Sequence, residues 1–139
     1  GKCNVCCYTQ ASKTLDLGLP HLWEQRCFTN CNSKQVIYMI MCPCSLRYIG
    51  MTSRPVKVRI QEHRSSIRLK RITTKLTTHY SEHRHTAEDI KWSVIEQVLT
   101  SPIKTEEKLF EKEQRWVYRL STSINGLNDD IPWHNIQLK

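Results

Sequence analysis

Glycine is scarce in this chain, with four residues, and no apolar run approaches the roughly 20 residues that cross a bilayer. The first shortage argues for a globular fold over a disordered tail, and the second leaves no membrane-spanning helix to expect. Acidic residues are also in short supply: 13 Asp and Glu stand against 21 Lys and Arg, so the formal charge is 21 − 13 = +8. A small domain with that excess attracts polyanions, and nucleic acid is the first partner to test; a solvated basic surface is the plainer account. Nothing at the N-terminus resembles a signal peptide, an absence without weight because the chain opens on Gly1 rather than methionine. At 139 residues the chain has the size of one ordinary domain with at most a small appended module.

Cysteine, by contrast, is plentiful. Seven residues are an odd number, which a fully paired secreted scaffold would not leave, so metal ligation is the expected use. Residues 1–34 hold Cys3, Cys6, Cys7, Cys27 and Cys31, with little between them able to build a core. The spacings Cys3-x-x-Cys6 and Cys27-x-x-x-Cys31 make two thiolate claws either side of a loop, as a small zinc segment requires. Cys7 or His21 can replace any one of these ligands, and buried cysteines without metal are the bland alternative. The chain is therefore divided into a Cys-rich zinc-binding segment, 1–34, and a second domain, 35–139.

From Val36 to Met51, apolar and β-branched residues predict two strands, and Pro43-Cys44-Ser45 suits the hairpin loop joining them. A three-residue loop sets Tyr38 opposite Gly50 and Ile40 opposite Tyr48. Side chains alternate across a strand, so the two tyrosines share one face as diagonal neighbours. They can act on one substrate, or simply stabilise a half-buried sheet. Thr52, Ser53 and Pro55 then supply a helix start, a hydroxyl for orphan amides and a proline for the first turn, with the helix running to about Leu69. Val56, Ile60, His63 and Ile67 form its buried stripe, with Arg59 on the adjoining edge. Arg59 and His63 stand one turn apart and can meet one phosphate. Arg64, Arg68, Lys70 and Arg71 read as a solvated basic face, and together with Lys57 they are candidates for DNA-backbone contact.

A second helix is expected around Thr74 to Glu82, and His79, His83 and His85 crowd its end. Set beside Cys42-x-Cys44, these histidines can complete a zinc site of two cysteines and two histidines. Residues Ile90 to Val98 alternate loosely through Trp92 and either Val94 or Ile95, which predicts a third strand. The clearest helix follows Pro102, with Glu106 and Glu107 at the positive end of its dipole and a stripe of Leu109, Phe110, Trp116, Val117 and Leu120. Glu113 falls inside that stripe, where a carboxylate is costly unless it is paired or bound to a cation. A salt bridge to Arg59 and a divalent metal are the two explanations. Beyond Ser121 periodicity fades, Asn125-Gly126 and Asp129-Asp130 read as turns, and Trp133 is expected to act as a clamp.

Val36-Ile37-Tyr38, Tyr48-Ile49-Gly50, Met51-Thr52, Arg59, His63 and the helical Glu113 together resemble the GIY-YIG endonuclease superfamily. Cysteines between the two tripeptides and histidines after them are most similar to the endonuclease domain of Penelope-like retroelements, where the ligand positions correspond to Cys42, Cys44, His79 and His85; His83 is an extra that can stand in for a ligand. The ending, Glu113, Trp116, Leu120, Thr122, Gly126, Leu127 and Asn128, resembles that subgroup too, as do the upstream cysteines. Two departures stand out: Val36 replaces the first signature glycine, and Asn125 precedes Gly126 where a proline is expected nearby.

The resemblance implies an α/β (α+β) fold, a small antiparallel three-stranded sheet flanked by helices. It implies phosphodiester hydrolysis with one catalytic Mg²⁺ or Mn²⁺ on Glu113, Tyr38 as general base, and Tyr48 orienting water or phosphate. Arg59 would stabilise phosphoryl charge, His63 would handle protons or phosphate, and Asn128 would hydrogen-bond behind the site. A base with a pKa near 10 needs neighbouring positive charge at neutral pH. Zinc, at one or two closed sites, would be structural. The implied partners are double-stranded DNA and a fused reverse transcriptase with its template RNA, in the nucleus, the nick supplying a 3′ hydroxyl for copying. Two other readings remain: a catalytically inactive zinc-stapled nucleic-acid-binding module, and a structure-specific repair nuclease of the same superfamily.

Overall fold

Two β-branched-rich runs separated by Pro43-Cys44-Ser45 form a hairpin, strands β3 (Val36–Met41) and β4 (Arg47–Thr52). The structure, a computed structural model, describes residues 30–99 and 102–129, together with the backbone of β1 (Thr14–Leu15) and β2 (Trp23–Glu24), which pair antiparallel. The candidate ligands Cys3, Cys6, Cys7, His21 and Cys27 lie outside the described residues, as does Trp133; Cys31 is described and buried.

The hairpin register follows the loop length: Tyr38 faces Gly50 and Ile40 faces Tyr48. Strand β5 (Lys91–Gln97) joins the other side of β3, giving an antiparallel sheet of order β4-β3-β5. Its loose alternation has a cause. Tyr38 pairs with Val94 and Ile37 with Glu96, so Ile95 is the extra residue of a bulge. Val94 and Ile95 then point into opposite cores, and both are buried.

Central strand β3 is covered on both faces. Val36, Tyr38 and Ile40 pack into a core with Val56, Ile60 and Ile67 of helix α1 (Val56–Arg68) and Leu76 and Tyr80 of α2 (Lys75–Glu82). Ile37 and Met39 pack into a second core with Leu109, Trp116 and Val117 of α3 (Thr105–Leu120). A short helix α4 (Thr122–Asn125) follows, through Ser121 in a left-handed cap conformation.

The start of α1 departs from expectation. Thr52 does not cap it; its hydroxyl accepts the Arg54 amide at 3.1 Å instead. The orphan amides of Val56 and Lys57 donate to the carbonyls of Ser33 and Cys31, at 3.0 and 2.9 Å. Backbone from the preceding segment therefore replaces the side-chain cap, and Pro55 sits one residue ahead of the first turn. Helix α2 falls where expected and is capped by a reciprocal Thr74–Thr77 pair.

Two further expectations are corrected. Arg64 does not lie on a solvated face: its side chain is buried and reaches Glu88 at 3.9 Å, beside an Arg68–Glu88 bond of 2.8 Å, so both basic residues tie α1 to the Ala87–Asp89 turn. Phe110 is 43% exposed rather than part of the α3 core stripe, because the covered face of α3 runs through Leu109, Trp116 and Val117.

The sheet edge is closed by Asn128, whose side-chain amide donates to the Ile49 carbonyl and accepts the Ile49 amide, both at 2.8 Å. Beside it, Leu127 donates to the Arg47 carbonyl at 2.8 Å, and a Cβ on Gly126 would stand 2.6 Å from that same oxygen. Gly50 is needed for a different close approach: a Cβ there would overlap the hydroxyl-bearing end of the Tyr38 ring. Gly50→Ala should therefore destabilise the protein by roughly 1–3 kcal/mol through overpacking, read as a lower denaturant midpoint. A midpoint equal to wild type would show that the Tyr38 ring has room to move.

Candidate active site

Four elements deliver the site. Strand β3 supplies Tyr38, strand β4 supplies Tyr48, and α1 supplies Arg59 and His63 one turn apart. Helix α3, packed along β4, supplies Glu113. Tyr38 Oη and His63 Nε2 are 2.7 Å apart in a buried hydrogen bond. The Tyr48 ring lies 5.2 Å from the His63 ring and 6.4 Å from that of Tyr38, so the shared face expected from the hairpin register is a three-ring cluster.

Electrostatics here are dominated by burial, which disfavours every charged form. It pushes the Tyr38 phenol well above its usual range, against a smaller pull from Arg59. Tyr48 is raised for the same reason. His63 falls to about 3, through burial and then the Arg59 charge, so its imidazole is neutral at physiological pH. Burial raises the Glu113 carboxyl to about 7, partly offset by a hydrogen bond from Gln114 Nε2 at 3.0 Å and by Arg59.

Of the two explanations for Glu113 on an apolar stripe, the salt bridge to Arg59 does not form. Among the described residues, Arg59 pairs with Glu62, at 3.4 Å. Glu113 is thus a half-buried carboxyl with one neutral donor, and its oxygen chemistry fits a divalent cation. Arg54 binds the same Glu62 oxygen at 2.6 Å. Sequence gave little warning of this pairing beyond the i, i+3 spacing of Arg59 and Glu62.

Asn128 stands behind the catalytic hairpin, on the Ile49 backbone. Of the candidate DNA contacts, Lys57 is half-exposed in the first turn of α1, Arg71 is exposed beyond its end, and Arg68 and the buried Arg64 serve Glu88.

At the hairpin tip, Cys42, Cys44, His79 and His85 gather with their donor atoms all within 4.8 Å of one another. A tetrahedral zinc ion holds sulfur and nitrogen donors roughly 3.3–3.8 Å apart. The Cys42–His79 separation, 3.6 Å, falls in that range and the Cys44–His85 separation, 3.1 Å, just below it, and the donor chemistry suits zinc. His83 is outside the group: its ring stacks on His79 at 4.1 Å, and its Nδ1 lies 3.1 Å from the His79 carbonyl oxygen.

Comparison with known proteins agrees with this geometry. No curated protein sequence matches the chain. The solved catalytic domain of the homing endonuclease I-TevI superposes with a TM-score of 0.56 at 20% identity, covering 69% of this chain and 98% of that one. A mutant of the catalytic domain of intron endonuclease I-TevI gives the same score and identity, over 68% and 91%. Both likenesses show the shared fold. The family model for the GIY-YIG catalytic domain matches residues 34–128, a span that contains both tyrosines, Arg59, His63 and Glu113 on the four elements that converge here, and the chain therefore belongs to the GIY-YIG family.

Proposed function

We propose that this domain is a metal-dependent DNA endonuclease that nicks its target by hydrolysing a phosphodiester. The observation that carries this reading is the 2.7 Å contact between Tyr38 and His63, with both tyrosines and Glu113 in the field of Arg59. A phenol raised by burial is a poor base by itself. As phenolate, the form the Arg59 charge favours, Tyr38 accepts the proton of the attacking water, while the neutral His63 imidazole 2.7 Å away holds its oxygen in place. Tyr48 orients the water or the phosphate beside these rings. Arg59 stabilises the charge that develops on the phosphoryl oxygens. Glu113 would hold Mg²⁺ or Mn²⁺, which when bound supplies Lewis-acid charge to the phosphoryl group and the leaving 3′ oxygen. Asn128 acts at one remove, fixing the strand that carries Tyr48.

Zinc on Cys42, Cys44, His79 and His85 would be structural, because four protein ligands leave no position for water. It would tie the hairpin tip to the end of α2. A double-stranded DNA target fits the net charge of +8. The internal Cys/His ligand set and the Gly-Leu-Asn close support a finer reading: an endonuclease of Penelope-like type, fused to a reverse transcriptase with its template RNA and acting in the nucleus. Its nick would free a 3′ hydroxyl to prime copying.

Supercoiled plasmid with Mg²⁺ tests the activity. Wild type should convert it to the open circle, and Glu113→Gln should slow the conversion at least about 10²-fold, a loss of several kcal/mol of charge stabilisation. Equal nicking by both proteins sinks the assignment. Salt-sensitive binding without cleavage under any divalent metal would instead identify an inactive binding module, and cleavage confined to branched DNA a repair nuclease.

The Glu113 carboxyl, raised to about 7, must lose its proton to take a metal. The Mg²⁺ concentration for half-maximal nicking should rise about tenfold per unit as pH falls below 7, and level off above it. A requirement constant between pH 6 and 8 contradicts this. For the hairpin tip, elemental analysis should show Cys44→Ser losing one zinc per chain relative to wild type, with a lower thermal midpoint. Equal zinc content in the two proteins discards the site.

A further inference from the structure

One carboxylate oxygen beside the active site is gripped by two guanidinium groups. Glu62 Oε1 accepts from Arg54 Nη2 at 2.6 Å and from Arg59 Nη1 at 3.4 Å. Among the described residues neither arginine has another acidic partner. The Arg54 backbone is fixed by Thr52, whose hydroxyl accepts its amide at 3.1 Å, so the guanidinium is held near this point rather than swept through solvent. Arg59 in turn acts electrostatically on both Tyr38 and Tyr48. The Glu62 carboxylate that bridges these two arginines also acts electrostatically on His63.

Carboxylate and phosphate oxygens present the same acceptor to a guanidinium fork, and arginine pairs that bind one bind the other. The side chains of Arg54, Glu62 and Arg59 are 53%, 44% and 36% exposed. An ion pair that wet contributes little to folding and exchanges readily. The 3.4 Å contact with Arg59 is the looser of the two, so the arginine closer to the chemistry is also the more easily released.

We propose that Arg54 and Arg59 form a phosphate subsite for the DNA strand being cut, and that Glu62 fills it in the free protein as an exchangeable internal anion. The DNA backbone displaces Glu62 on binding. Arg54 is then a DNA-binding residue, and Glu62 a competitor that raises the threshold for weak or isolated anions. This inference rests on the reading of the site as a DNA phosphodiesterase.

Binding of a double-stranded oligonucleotide, measured without divalent metal across a salt series, tests it. Arg54→Ala should weaken binding at least fivefold and reduce the magnitude of the log K against log salt slope by about 0.9, one phosphate contact. Arg54→Gln serves as a second variant should the first lose its fold. Glu62→Gln should tighten binding about fivefold, and in the Arg54→Ala background that gain should fall below twofold, since the competitor has lost its site. Glu111→Gln, on the α3 surface, reports the effect of removing any one negative charge. The inference is overturned if Arg54→Ala binds like wild type, if Glu62→Gln gains equally in both backgrounds or no more than Glu111→Gln, or if Glu62→Gln lowers kcat, which would make Glu62 a positioning residue for Arg59. Nicking by wild type in parallel separates the two failures: a wild type that neither binds nor cuts defeats the endonuclease reading itself, while an active wild type with indifferent variants defeats the subsite alone.

Discussion

Strand β3 has a hydrogen-bonded neighbour on each side and a packed core on each face, and its residues Val36 to Ile40 are essentially inaccessible to water. A polar atom on such a strand must find a partner, or cost about 1–3 kcal/mol in lost solvation. Tyr38 carries the phenol of that strand, and His63 is its partner. The requirement reaches far into the fold. It fixes the rotation of α1, because His63 must face the sheet together with Val56 and Ile60. That rotation brings Arg59, one turn earlier, to the rim of the same ring cluster. It also demands that residue 50 lack a Cβ. Core and catalytic apparatus are therefore one construction.

The same burial explains the electrostatic character of the site. Desolvation is the largest influence on Tyr38, Tyr48, His63 and Glu113, and in each case it favours the neutral form. Among the described residues, Arg54, Arg59 and Glu62 group in one solvent-reached cluster beside these buried groups. On the function proposed above, an incoming phosphate would meet the arginines first and the neutral Tyr38, Tyr48 and His63 behind them, an order suited to binding before proton transfer. The Cys/His cluster stands apart at the hairpin tip, and a metal there would stiffen the loop without entering the chemistry.

Much of this was legible from residue pattern. Period-two alternation and a three-residue loop fixed the hairpin register, and with it the shared face of Tyr38 and Tyr48. A charge on an apolar stripe singled out Glu113, now half-buried beside the site. What pattern did not reveal depends on which surfaces tertiary structure covers. Arg64 lies on a basic run, but the Ala87–Asp89 turn packs over it and brings Glu88. Phe110 is apolar and in phase, yet it stays 43% exposed among the described residues. The carbonyls of Cys31 and Ser33 that cap α1 carry no side-chain signal at all. The resemblance set Asn128 behind the site, but spacing does not reveal that its partner is the Ile49 backbone.

The Asn128 clamp links the order in which the protein is made to the state of its sheet. Ile49 and Asn128 are 79 residues apart, and during synthesis the catalytic hairpin emerges long before the residue that closes its edge. Until then the outward amide and carbonyl of Ile49 are open to any extended segment that can add a strand. A chain interrupted between residues 113 and 128 has Tyr38, Tyr48, Arg59, His63 and Glu113 and still presents an adhesive sheet edge. For such a chain, sticking to its own kind competes with folding from the moment the hairpin appears.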